Sequence, residues 1–569
     1  MIRPTRRRTP RFAALALFAL ASAAHAQTEG VLPVGDPVHR FLERQQTRGH
    51  LREAHLSHQP LSAYAARALL DSLAADSAAV AALAPADRRL LARLRGETPG
   101  PGAALARRYV PFVYRNGQDL LRAEGDGYGL VLTPLAYLQA GRASQSTDGV
   151  AGEGLTVWRN TRGARAAGHL GRLDRTFFFF ETRIEENQRV EPAADNALVG
   201  ARIGERYFRD GRTYDYWVAT GLVGVKTRFV EARLGRDRAR WGAARGPLLV
   251  SGFPTTFDQL QLRTRVWRVE YVNVFSALAD PTQPRDSLTN QIRARYGVFH
   301  RLALDLPGRV QVGLSESAIL APTPEDRGPE FYLAYLNPII FYRALDFEWG
   351  SPANMLIALD AQWVPVGGVQ LYGQLMLDEF RAGDLFSGDG SYTNKWGGLL
   401  GLHLADVAVP GLEVRAEYAR IRPYTYSSVD PERAYVHFLG TMGHPYGPNA
   451  EGLTVWADYR PTDRLTASVE GTLLRRGRND GAVNYGSDPL VPYTTGVPNE
   501  SGTFVGQGIR QTETRLDARV GYELLPGLVA EAITRWAHTT DAADPALNRD
   551  YVSALAGLRW GLPYQSARF

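Results

Sequence analysis

Two groups of residues in this 569-residue chain have the types and spacing to do chemistry. Arg236, Arg238 and Arg240 alternate along one strand-like stretch and lead into Trp241, which puts three guanidiniums on one face beside an aromatic ring. Such a set can hold an acidic group in paired hydrogen bonds next to a flat platform. Its other use is as scaffold, each arginine paired with a facing acid such as Glu316, Asp378 or Glu417. The second group is the run from Pro423 to Asn449, with Tyr424, Tyr426, Tyr435, His437, His444 and Tyr446. Aromatic faces of this kind stack on sugar rings. The same residues would also make an ordered lid or an aromatic girdle.

Covalent and metal chemistry find little support. The chain has no cysteine, which removes thiol nucleophiles, disulfides and cysteine-ligated metal together. Gly313 to Ser317 reads GLSES, which is not a nucleophile elbow. His50, His55 and His58 fall in a connector without a carboxylate cluster, so solvated surface is expected there rather than a metal. Acids are scattered through strand patterns. Two of them can still meet across a closed sheet, as glycoside hydrolysis needs, which leaves a hydrolase as a third-ranked reading. The expectation is a non-enzyme with no cofactor and no metal.

The elements that must position these residues are strands. From Arg515 to Leu524 the residues Leu516, Ala518, Val520, Tyr522 and Leu524 alternate with Arg515, Asp517, Arg519, Gly521 and Glu523. A period of two gives one apolar and one charged face only to a β-strand. Leu525-Pro526-Gly527 is long enough only for a hairpin turn, and Leu528, Ala530, Ala532, Thr534 and Trp536 line one face of the return arm. From about Arg107 onward the unit repeats. Short turns (Leu306 to Gly308, Pro365 to Gly368, Val409 to Gly411, Pro461 to Arg464) alternate with long polar loops (Leu278 to Asn290, Gly383 to Asn394, Pro423 to Asn449, Gly477 to Gln507). That alternation, with 26 tyrosines and ten tryptophans, favours a membrane barrel over a soluble sandwich.

The N-terminal segments read differently. Arg3, Arg6, Arg7, Arg8 and Arg11 precede an apolar run from Phe12 to Ala24 and then Ala24-His25-Ala26, the pattern of a secretory signal over residues 1–26. Removing those five arginines from a net charge of +6 leaves +1, which argues against nucleic acid as a partner. Residues 27–106 read as a small helical unit, with starts at Asp36-Pro37, Ser62 and Pro85. The fold expected is all-β: an antiparallel transmembrane β-barrel over 107–569, of sixteen to twenty strands, with a small periplasmic α-helical unit. The barrel is placed in the cell outer membrane, with helical unit and C-terminus periplasmic and long loops extracellular. Its partners would include outer-membrane lipid and the barrel-assembly machinery, since the chain ends on Phe569, although Pro563 interrupts the last strand.

The segment RLGRDRARWGAARGPLLVSGFPTTFDQLQLRT, Arg233 to Thr264, resembles the Wzi-type capsule assembly family. GLSES, AYLNPIIFY (Ala334 to Tyr342), the stretch Asn354 to Asp360, LYGQLMLDEF (Leu371 to Phe380), NKWGG (Asn394 to Gly398), AEYARIRPYTYS (Ala416 to Ser427) and GHPYGPNA (Gly443 to Ala450) follow in the family's order. The resemblance implies an eighteen-stranded outer-membrane barrel with a periplasmic helical bundle, acting as a surface lectin that helps attach capsular or other surface polysaccharide. On that reading Tyr424, Tyr426, Tyr435, His444, Tyr446, Arg236, Arg238, Arg240 and Trp241 are the glycan-contacting candidates. The alternative is an outer-membrane porin for oligosaccharides or anions, which an arginine-lined lumen would also serve.

Overall fold

The computed structural model describes residues 30–564, apart from 53, 148–149, 152–153, 172–174, 189–206, 209–212, 283–291, 322–333, 339–341, 349–352 and 380–388. The segment read as a secretory signal and the terminal Phe569 lie outside the described residues.

Eighteen antiparallel strands close into one ring. They are β1 (Tyr128–Thr147), β2 (Leu155–Leu170), β3 (Thr176–Gln188), β4 (Thr213–Lys226), β5 (Val230–Asp237), β6 (Phe257–Val266), β7 (Val269–Ala279), β8 (Ala294–Leu306) and β9 (Val310–Leu320). The second half comprises β10 (Ala353–Val366), β11 (Val369–Asp378), β12 (Trp396–Ala405), β13 (Leu412–Ile421), β14 (Ala450–Tyr459), β15 (Leu465–Arg478), β16 (Ile509–Leu525), β17 (Leu528–Asp541) and β18 (Arg549–Trp560). Every neighbour in sequence is a neighbour in the sheet, and β18 pairs with β1 from Arg549 opposite Thr147 to Trp560 opposite Ala136. The expected turns all lie at one end of the ring. Gly308 and Gly527 take φ +81° and +76° there, a region open to glycine at no steric cost.

The wall explains the alternating sequence. On β16 Leu516, Val520, Tyr522 and Leu524 point outward and are exposed, while Arg515 and Asp517 are buried toward the lumen. β13 does the same with Tyr418 outside and Glu413, Arg415 and Glu417 inside. The outer face carries Trp217, Leu234, Leu302, Leu359, Leu371, Leu400, Leu473 and Val552 in the open. An apolar exterior around a polar, charged interior is the reverse of a water-soluble protein and matches a wall facing lipid. Among the described residues no helix is long and apolar enough to cross a membrane.

The strand wall starts later than expected. Residues 107–127 form the end of a short helix and a strand, Leu121–Gly125, that hairpins onto β1 with Leu121 opposite Leu132. This short strand covers the edge of β1 that β18 leaves bare beyond Trp560, where Gly561 (φ +68°) turns the chain away.

The predicted helix starts are present. α1 (Pro37–Thr47) is capped by Asp36, whose carboxylate accepts from Val38 N–H, and α2 (Ala63–Ala75) by Ser62. α3 (Ser77–Ala82), α4 (Pro85–Leu94) and α5 (Ala103–Tyr109) follow. Leu42, Leu51, Leu70, Leu73, Leu90 and Leu91 share a core of their own. The unit is not an appendage with its polar faces in water, however. It sits on the short-turn end of the barrel, where Arg93 pairs with Glu523 at 2.8 Å, Arg89 with Asp463 at 3.1 Å, and Gly368 N–H donates to Thr47 O at 2.9 Å. One face of α1, with His39, Gln46 and Thr47, is buried. A polar helical face suits a polar lumen as well as it suits water, and here the lumen takes it.

Candidate functional site

The lumen is crossed by chain. After Asp237, opposite Phe257 at the end of the β5–β6 ladder, residues 238–256 leave the wall and drop inside. There Arg240–Trp241 pairs antiparallel with His58–Gln59 from the N-terminal unit. Arg240 donates to Glu43 on α1 at 2.6 Å, and Arg415 on β13 reaches the other oxygen of the same carboxylate at 3.1 Å. Burial raises the Glu43 carboxyl, but the two guanidiniums outweigh it and hold the group below the usual carboxylate range. Thr47 and His403 Nδ1 lie 2.8 Å apart, and Arg44 bonds both Asp87 and Asp406.

This arrangement corrects the arginine reading. Arg236, Arg238 and Arg240 do not share a face, because the wall ends between them. Arg236 stays outside, 47 % exposed and paired with Asp258 at 2.9 Å. Arg238 follows the end of the wall and Arg240 joins the buried charge cluster. Trp241 is buried edge-on against Phe299, with centroids 6.3 Å apart, so it offers no open platform. The acids named as partners of an arginine ladder anchor loops instead. Glu417 accepts from the N–H groups of Arg245 and Gly246, Asp378 from Tyr426 N–H, and Glu316 from those of Tyr342 and Arg343. An inward loop exposes backbone donors that must find acceptors, and carboxylates on the wall supply them.

The histidines also depart from expectation. His55 and His58 are buried rather than solvated; His55 pairs with Asp305 at 2.8 Å, and His58 tilts against Trp241. Burial, followed by the Arg263, Arg233 and Arg301 charges, holds His58 well below the ordinary imidazole value, and burial also lowers His39. A histidine kept neutral in the seated state takes up a proton more readily once unseated, so stability is lost as pH falls below the free value of about 6.5. Each contributes up to about 1.4 kcal/mol per pH unit below that point. Glu43 titrates beneath this window. Protease nicking within residues 30–100 is therefore expected to accelerate from pH 7.5 to 5.5, and the double variant His39→Gln, His58→Gln to lose most of that dependence, with His50, also lowered by burial, keeping the rest. An unchanged nicking rate across the range would refute it.

Beside α1 a cavity of about 100 Å³ faces β14–β16, lined by Arg40, Arg240, Arg245, Glu43, Asp458 and Trp456 among others. Arg245 lies over the Trp456 ring at 4.9 Å and pairs with Asp458 at 2.9 Å.

At the long-loop end, residues 422–449 fold back into the barrel. Tyr426 OH donates to Leu248 O at 2.7 Å, Tyr435 OH to Leu249 O at 3.0 Å, Tyr424 OH to Asn484 O at 2.7 Å, and Tyr446 OH lies 2.6 Å from Thr454 Oγ1. Tyr426 and Tyr435 stack at 5.8 Å, and His444 packs on Tyr446 at 4.4 Å. Burial raises the Tyr424 phenol to about 12 and lowers the His437 imidazole to about 3. Tyr424, Tyr426, Tyr435, His444 and Tyr446 are all buried, so the expected surface platforms are a floor for the loops instead. The reason is the phenol hydroxyl, which needs a partner when buried; Tyr426 and Tyr435 find carbonyls on the inward segment, Tyr424 one at Asn484, and Tyr446 the Thr454 hydroxyl.

Above that floor stand aromatics that the sequence reading passed over. Tyr392 meets the Tyr424 ring edge-on at 6.0 Å and Tyr493 at 6.3 Å; both are half-buried, while Phe504 is 61 % exposed. Lys395 sits 4.2 Å over the Tyr493 ring and 3.3 Å from Asp378. These residues fall on the loops around 389–395 and 479–508, which are long and polar in sequence and whose aromatics are too far apart to form a local pattern.

No family model and no curated protein sequence matches the chain. Among solved structures, Wzi from Escherichia coli, described as an outer-membrane, carbohydrate-binding β-barrel involved in group 1 capsule assembly, is similar at a TM-score of 0.53 and 11 % identity. The match covers 94 % of this chain and 100 % of that one. The Pseudomonas aeruginosa barrels OprD and OccK2, the latter solved with glucuronate, are less similar, at TM-scores of 0.40 each, 11 % and 10 % identity, and 75 % and 76 % of this chain, with 94 % and 97 % of theirs. The chain thus has the fold of an eighteen-stranded outer-membrane β-barrel, shared over nearly its whole length with Wzi.

Proposed function

We propose that this protein binds surface polysaccharide at its long-loop end, as a barrel seated in the outer membrane with its short turns, N-terminal unit and C-terminus toward the periplasm. The observation that carries the reading is the chain that crosses the lumen. α1, the segment 238–256 and the loop 422–449 meet across the interior, with Arg240 bonded to Glu43 and Tyr426 bonded to Leu248. A conduit for oligosaccharides or anions needs a continuous passage. A barrel crossed in this way suits attachment of a polymer outside it, and the likeness to a carbohydrate-binding barrel over 94 % of the chain supports the same use. Tyr392, Tyr493 and Phe504 are the rings placed to meet sugar faces. Tyr424, Tyr426, Tyr435, Tyr446 and His444 hold them up from below, and Arg240 and Trp241 fix the interior.

The test is binding of stripped surface polysaccharide to the purified protein in nanodiscs. The double variant Tyr493→Ala, Phe504→Ala is expected to weaken binding about tenfold, or ~1.4 kcal/mol, within the range two aromatic contacts supply. Planar bilayers holding the unmodified protein should show no large steady conductance. Such a conductance together with absent polysaccharide binding would replace this reading with the porin one.

A further inference from the structure

The segment between the N-terminal unit and the wall has the wrong surface for water. Leu105, Tyr109, Val110 and Phe112 are 59 %, 76 %, 37 % and 60 % exposed. They fall within eight consecutive residues that also carry Arg107 and Arg108, both exposed. A soluble face rarely collects four large apolar side chains in so short a stretch.

The flanks fix where this patch sits. On one side Gly102 is tight against β16, since a Cβ there would lie 2.6 Å from Leu524 O. On the other, Val113 and Tyr114 are buried in a cluster with Leu121, Leu525 and Trp560. The segment is thereby clamped at both ends to the short-turn rim of the barrel, on the wall made by β16, β18 and β1. The outward residues of that wall nearest the rim, Tyr522 and Leu524 on β16 and Tyr128 and Leu132 on β1, are exposed and belong to the apolar belt. The patch continues the belt past the edge of the sheet.

We infer that Ala103–Phe112 is an interfacial anchor that lies in the phospholipid leaflet around the short-turn end, with its apolar side chains among the acyl chains and its arginines on anionic headgroups. Lipid is the occupant because the patch is continuous with a lipid-facing surface, and because arginines interleaved with Leu, Tyr and Phe are the composition of an interfacial segment. Arg107 is already oriented, its guanidinium donating to Arg115 O at 3.2 Å, which leaves the remaining N–H groups of the fork for phosphate. The anchor would hold the rim, and the N-terminal unit joined to it, at a fixed depth. The inference rests on the barrel spanning a membrane.

The natural chain has no cysteine, so any introduced one is a unique label site. Single variants Tyr109→Cys and Phe112→Cys carry a nitroxide, with Leu371→Cys as the belt reference and Phe504→Cys as the water reference. The proteins are reconstituted into phosphatidylcholine vesicles with or without phosphatidylglycerol, and collision with oxygen is compared with collision with a neutral nickel complex. The expected oxygen-to-nickel ratio at residues 109 and 112 is several times that at 504, below that at 371, and higher with phosphatidylglycerol present. A ratio equal to that at 504 overturns the anchor and leaves the patch in water. Exclusion of both reagents also overturns it and indicates protein cover, from a second copy if the spectra sharpen on dilution with unlabelled chain. If residue 371 itself reads as water, the membrane reading fails as a whole.

Discussion

Glu43→Ala is expected to lower the stability of the seated N-terminal unit by about 3–5 kcal/mol, the usual consequence of removing one partner from a buried charge cluster. Arg240 and Arg415 both end on this carboxylate, at 2.6 and 3.1 Å, and neither can neutralise itself by losing a proton. The side chains meeting there are well buried, so water screens little of the loss. Thermal unfolding in detergent, followed by the mobility difference between folded and boiled barrel, gives the stability of the wall. Protease nicking within residues 30–100 gives that of the unit. The variant should be nicked far faster while the wall, whose ladder does not include Glu43, keeps its folded mobility. Nicking within twofold of the unmodified chain would mean that the guanidiniums find other acceptors and that the carboxylate is not the keystone of the interior. Glu43→Gln, which keeps the shape and one acceptor, should fall between the two.

Tyr426→Ala is expected to cost about 3–5 kcal/mol locally, as truncation of a buried aromatic does. The ring is fully buried, stacks on Tyr435 and bonds Leu248 O, and its backbone is held at φ +72° with the N–H on Asp378. The left-handed conformation at a tyrosine costs roughly 1–2 kcal/mol, which the ring's contacts must offset. Without the ring the loop 422–449 loses its floor and should become cleavable from the long-loop end. Tyr426→Phe removes only the hydroxyl and should cost about 1–2 kcal/mol, by taking the donor from the Leu248 carbonyl and the acceptor from the His444 N–H. Phe504→Ala, in the open, should leave stability within about 0.5 kcal/mol. Equal cleavage of Tyr426→Ala and Phe504→Ala would show that Tyr426 is no part of a floor. The contrast also separates a loss of sugar binding through contact from one through collapse of the loop.

The wall was legible in the sequence because its signal is local. Leu516 to Leu524 against Arg515 to Glu523 reads as two faces whether the wet side is solvent or lumen, and Leu525-Pro526-Gly527 marks the hairpin, though not its register, which shifts at a bulge between Glu523 and Leu525. The interior was not legible, because its contacts join distant residues. Tyr426 meets Leu248 across 178 positions, and nothing near either residue says that the loop turns in. His39, Glu43, Gln46 and Thr47 form a stripe on α1 that is as polar as a solvent-facing stripe, so composition cannot tell lumen from water. The arginine reading failed for a different reason. Alternation was carried through Asp237, where the wall stops, and three side chains assigned to one face went to three places.

The short strand Leu121–Gly125 bears on how the ring acquires its geometry. Its hairpin with β1 closes over two residues, and it occupies the edge of β1 through Leu132. β18 pairs with that same edge only from Ala136 onward. A local hairpin of this kind forms without waiting for distant chain, whereas β18 arrives from more than 400 residues away. If β18 slid toward the short-turn end it would run into Leu121, so the hairpin acts as an end stop for the last strand. The slide it blocks is the one that would change the stagger of the whole ring, and with it the barrel's tilt and width. A few residues ahead of the first wall strand thereby stand where they would limit the bore of a cylinder they take almost no part in building.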